Sequence, residues 1–140
     1  MNWLTWSLLS ALFAGLTAVL AKVGVAGVDS NLATAIRTTV ILIFAWAIAL
    51  VTARPAELAT LSGRTWLFLA LSGIATGLSW LCYFRALQLG QASQVAPIDK
   101  LSVVFVLLLA ALFLRDPLTF RSGLGGLLIV AGAIVLAWKR

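Results

Sequence analysis

Five apolar runs of roughly twenty residues dominate this chain, each long enough to cross a ~30 Å hydrocarbon layer as a helix. They cover residues 3–27, 32–53, 65–89, 93–114 and 119–138. Between them stand segments with turn chemistry: "GVDSN", "ARPAELATLSGR", "LGQAS" and "RDPLTFRS". Connections this short force neighbouring helices to run antiparallel. The expected fold is an all-α membrane protein, a single bundle of five transmembrane helices over residues 1–140 without an extramembrane domain. Ser93 is expected to cap the fourth helix and Pro117 to stand in the first turn of the fifth.

Composition removes the main alternatives. Charged residues make up 10% of the chain and hydrophobic ones 63%, whereas a soluble domain carries about 25% charged residues. The first run has no Lys or Arg between Met1 and Ala21 to serve as a signal-peptide n-region. Its Lys22 and its glycines at 15, 24 and 27 suit a retained, packed helix. The net charge of +6 comes from basic residues scattered singly near helix ends. Such residues snorkel to lipid headgroups, and a nucleic-acid partner would need a clustered basic face. A lone cysteine, Cys82, excludes an internal disulfide, and there is no histidine. No metal, cofactor or nucleophile–base pair is expected, and an enzyme is not the reading.

Lys and Arg set membrane orientation. With five spans, Lys22, Arg37, Arg85, Lys100, Lys139 and Arg140 fall on one side, and Arg54, Arg64, Arg115 and Arg121 on the other with the N-terminal amine. So even a balance allows insertion in both orientations, and opposite copies would then pair as an antiparallel homodimer. A fixed topology with the C-terminus inside is the competing expectation.

Candidate solute contacts come from the helix faces. Span 1 carries Trp3, Ser7, Ser10, Ala14, Thr17, Ala21 and Gly24 on one stripe, and span 2 carries Thr34, Thr38, Ala45 and Ala49. Small and hydroxylated stripes of this kind are packing seams before they are cavities. Span 3 differs, because Thr76, Ser79 and Tyr83 form a hydroxyl row beside the bulky Trp80 and Phe84. Amphipathic aromatics next to hydroxyls suit a wall that touches solute. Span 5, with Gly123, Gly125, Gly126 and Gly132, reads as a packing or dimer helix.

Span 4 holds the charges. Asp99 and Lys100 follow Pro97 inside an apolar stretch, and an ionised group at a helix centre costs roughly 2.5–3.5 kcal/mol on insertion scales. Pro97 has no N–H for the Ser93 carbonyl, so a broken turn is expected next to the charged pair. Neighbours on a helix point about 100° apart, which makes Asp99 and Lys100 poor partners for each other. Lys22, Arg37 and Arg85 lie toward the same membrane side and are the cations expected to reach Asp99. A purely structural ion pair is the competing role for Asp99.

"YFRALQLGQASQVAPIDKLSVVFVLLLAALFLRDPLT" followed by "GLGGLLIVAGAIVLAW" resembles the second half of an EamA domain of the drug/metabolite transporter superfamily. There an aromatic-rich third span ends in Ala-Leu, a proline-bearing fourth ends in Leu-Gly-Glu, and a glycine-rich fifth follows. Lys22 ending span 1 and Arg37 entering span 2 extend the resemblance over the whole chain. Arg115-Asp116 stands where the pattern has Gly-Glu, and "PIDK" is more polar than most fourth spans of the family. Most members carry two such domains as inverted repeats, so the resemblance implies an antiparallel dimer that rebuilds a ten-helix fold. The glutamate in the first span on which small four-span multidrug exporters of the superfamily depend has no counterpart here.

The expected function is secondary transport, with export as the expected direction, of small polar or amphipathic metabolites by alternating access in a prokaryotic inner membrane. Thr76, Ser79, Trp80 and Tyr83 would contact solute, Asp99 and Lys100 would form the charged centre, and Pro97 would be the hinge. Asp99 would carry the proton if transport is proton-coupled. A lipid-carrier flippase or its accessory subunit is the second expectation, with Lys22, Arg37 and Arg85 placed to hold a phosphate. A membrane assembly factor is the third.

Overall fold

The computed structural model describes residues 2–53, 58 and 60–138. Arg54, Lys139 and Arg140 of the charge balance lie outside the described residues, so that balance rests partly on positions without a structural account. Among the described residues the chain is all helix: α1 Trp3–Gly24, α2 Ser30–Thr52, α3 Gly63–Leu89, α4 Ala92–Asp99, α5 Ser102–Leu109, a π-helical turn Ala110–Leu114, and α6 Phe120–Ala137. Taking Ala92–Leu114 as one span, five helices are long and apolar enough to cross a membrane. The helices group into two compact units, one of Met1–Val23 with Leu89–Arg140 and the other of Gly24–Gln88.

Polar residues set the helix starts. Asn2 Oδ1 accepts from the Thr5 N–H at 3.0 Å and from the Thr5 hydroxyl at 2.9 Å, satisfying a free donor of α1. Asp29 Oδ1 accepts from the N–H groups of Asn31 and Leu32 at 2.9 and 3.0 Å. That cap starts α2 at Ser30, two residues before the hydropathy run. Gly27 has φ +76° in the turn before it, a backbone state that glycine enters without a Cβ clash.

Two expected helix starts are corrected. Ser93 is the second residue of α4, and the N-cap is Gln91, whose carbonyl accepts from Gln94 and Val95 at 3.0 Å. Pro117 precedes α6 by three residues, because Thr119 and Ser122 close a reciprocal capping box that begins the helix at Phe120.

In the first unit, α6 packs closely against α4 and α5. Gly126 and Ala133 are buried there, and a Cβ at Gly126 would lie 3.3 Å from Leu107 Cδ1. Small residues let membrane helices approach because dispersion replaces the hydrophobic drive. The packing role expected of span 5 therefore holds.

The π-helical turn ends in Arg115, at φ 59° and ψ 27°, with its N–H on the Ala110 carbonyl. The Asp116 N–H bonds the same carbonyl at 3.2 Å. This left-handed helix terminus is where glycine is ordinarily found, and it explains the Gly of the resembled pattern. Arg115→Gly is expected to raise stability by about 1 kcal/mol, read as a higher melting temperature in lipid nanodiscs. An unchanged or lower melting temperature would show that the Arg115 side chain offsets its backbone strain.

Candidate solute site

The second unit brings α2 and α3 together through long side chains. Ser30 and Thr34 on α2 and Phe84 and Leu87 on α3 are buried, together with Val25 in the turn that precedes α2. Gln88 donates through Nε2 to the Val28 carbonyl and accepts from Arg85 Nη1 at 2.9 Å, which ties the end of α3 to that turn. One helical turn further along lies Arg37. Its guanidinium carbon sits 4.2 Å from the centroid of the Trp80 ring and 5.6 Å from that of Phe84. Trp80 and Phe84 are four residues apart on α3, so both faces meet the same cation. Tyr83 is half-buried beside them and within electrostatic range of Arg37.

Thr76 and Ser79 continue the row and are exposed. The Thr76 hydroxyl donates to the Ser72 carbonyl at 2.9 Å, so toward a solute it can only accept. The hydroxyls of span 2 behave alike: Thr34 donates to Ser30 at 2.7 Å and Thr38 to Thr34 at 2.8 Å. Backbone bonding, not a polar lining, is what those threonines do.

The charged pair lies in the first unit. Lys100 Nζ is 3.5 Å from Asp99 Oδ2, with side chains 57% and 37% exposed. The sequence reading that made them poor partners is corrected. α4 ends at Asp99, and Lys100 and Leu101 form a turn of shorter bonds: Leu101 N–H to Ile98 at 3.0 Å and Val103 N–H to Lys100 at 3.1 Å. The backbone stays right-handed helical through Lys100 and Leu101, so it is the long lysine stem that carries Nζ back to the carboxylate. The broken turn expected next to the charged pair is there, at Lys100–Leu101, while Pro97 itself stays inside α4. Lys22 Nζ donates to the Gly90 carbonyl at 2.7 Å and so binds α1 to the approach of α4.

The expected site residues thus form two groups in separate units. Thr76, Ser79, Trp80 and Tyr83 share a face of α3 with Arg37 before them, and Pro97, Asp99 and Lys100 cluster at the helix break. Arg37 was expected to serve as a partner for Asp99 or to hold a phosphate, and was not placed with the aromatic wall. The signal for its position was available: an arginine several residues inside a span without acids, and Trp and Phe four apart on the antiparallel neighbour. Among the described residues, no group of three or more His, Cys, Asp or Glu is arranged to hold a metal ion.

Comparison with known proteins bears on this arrangement. Residues 1–138 match the EamA-like transporter family. An "uncharacterized transporter in cobO 3'region" of Sinorhizobium sp. is 56% identical over 136 residues, covering 97% of this chain and 96% of that protein. A "probable 4-amino-4-deoxy-L-arabinose-phosphoundecaprenol flippase subunit ArnE" of Enterobacter sp. (strain 638) is 36% identical over 73 residues, covering 52% of this chain and 68% of that protein. No solved structure matches.

Proposed function

This chain belongs to the EamA-like transporter family, and we propose that it is a secondary transporter exporting small polar or amphipathic metabolites by alternating access. The two units act as one five-span domain in a prokaryotic inner membrane, and two copies pair antiparallel. The observation that carries this reading is the Asp99–Lys100 pair. It lies at a helix break inside a 23-residue apolar span and is 37% and 57% exposed. Ionised groups at membrane depth face protein or water, so a second copy or an aqueous path must cover the pair. In this reading the hydroxyl and aromatic face of α3 holds the solute, and the break at Lys100–Leu101 with Pro97 provides the movable joint. Uptake of a metabolite panel into proteoliposomes tests it, and a protein that moves no member of the panel against a protein-free control would contradict it.

A second reading, a flippase subunit for a lipid-linked solute, is favoured by the stretch similar to a flippase subunit and by the cation on α2. Copurification of lipid phosphate with an unrelated partner subunit would select it over transport by a homodimer.

Antiparallel pairing carries its own prediction. C-terminal reporters active on one side only, one for each side, are expected to give signal from both. Signal from a single side would remove the dual-topology homodimer.

A further inference from the structure

We propose that Arg37, placed over the Trp80 ring, is an anchor for the oxyanion head of an organic anion, and that this head is what the α3 face recognises first. The inference deepens the transporter reading by naming a substrate class, and it rests on that reading only for the word substrate. Arg37 lies seven residues into α2, about 10 Å along the helix at ~1.5 Å per residue. An arginine at such depth in a membrane protein is normally paired with a carboxylate or bonded to backbone carbonyls. Among the described residues Arg37 has neither an ion pair nor a hydrogen bond. It interacts with the rings of Trp80 and Phe84 and with Tyr83.

Those contacts are with ring faces and leave the N–H donors of the guanidinium without a hydrogen-bond acceptor among the described residues. Among the described residues no buried side-chain nitrogen or oxygen lacks a hydrogen-bond partner, so the unpartnered donors of Arg37 are not sealed from their surroundings. A planar fork with unspent donors matches a phosphate or carboxylate bidentately. Around it, Tyr83 adds a half-buried phenol and the half-buried Trp80 gives apolar surface for an organic body, while Phe84 is itself buried in the core. The geometry points to an amphipathic anion, not to an inorganic ion or a cation, which Arg37 would repel.

The oxyanion has two possible sources, a water-soluble solute or a lipid phosphate in the bilayer. The test titrates the full chain in nanodiscs with phenyl phosphate, with benzoate, and with farnesyl phosphate incorporated in the disc. Benzyl alcohol is the neutral control. Binding of at least one anion, with none of the alcohol, is expected, and R37Q should weaken it by at least about tenfold. The soluble arms and the lipid arm then assign the source. Should R37Q fail to insert, R37K decides: it keeps the charge and stem but loses the fork, and weaker binding is expected. No binding of any anion, or binding that R37Q or R37K leaves unchanged, overturns the proposal. Uptake of a neutral metabolite by the same protein would then leave the transporter reading standing without its anion site.

Discussion

Asp99→Asn is expected to reduce flux per folded molecule by at least about tenfold, equivalent to ~1.4 kcal/mol of lost solute or proton coupling, while the fold hardly notices. The pair that Asp99 forms with Lys100 spans 3.5 Å and both side chains are substantially exposed. Such a pair contributes up to about 1 kcal/mol, and neutralising the carboxylate also removes part of its desolvation cost. A melting curve and a flux assay on the single variant separate function from scaffolding. A stability loss of roughly 3–5 kcal/mol with normal flux would make Asp99 the counter-ion of a buried cation, and the charged centre would be structural.

The other large effect is expected at Trp80. Its ring lies under Arg37 at 4.2 Å, and a desolvated cation–π contact is worth about 2 kcal/mol. Trp80→Ala removes that platform and should lower transport on the order of tenfold or more, with the protein still folded because Trp80 is only half-buried. Trp80→Phe keeps a ring face and should retain most of the activity. Equal losses in both variants would place the importance of Trp80 in its bulk or its indole N–H. Unfolding of Trp80→Ala would assign the residue to the core.

The helices were legible because hydropathy length and turn chemistry are local. α2, α3 and α6 begin within two residues of the expected positions, and α1 stops at Gly24 where its run continues to residue 27. What escaped was decided by backbone geometry. Ser93 had the right chemistry for a cap, but Gln91 closed the turn first. The departure from Gly-Glu at Arg115-Asp116 was visible as an anomaly, and only its positive φ explained it. The pairing of Asp99 with Lys100 depended on the reach of the lysine side chain, which hydropathy does not record. The aromatic row of α3 was readable from spacing, whereas Arg37 in front of it is a contact between distant parts of the chain, which a one-dimensional pattern does not fix.

In none of the five spans does the share of the apolar window buried inside the protein exceed 11%. A water-soluble protein hides its apolar side chains from its solvent; here the solvent is itself apolar, and the hiding is unnecessary. The outer faces of these helices are consequently free to exchange one aliphatic side chain for another with little energetic consequence. Constraint falls on the few residues that touch one another: Gly126 against Leu107, Phe84 and Trp80 around Arg37, Lys22 on the Gly90 carbonyl. Sequence drift in a lineage of such proteins would therefore be fast over most of the surface and slow at a handful of scattered positions. Hydropathy would persist long after identity has faded.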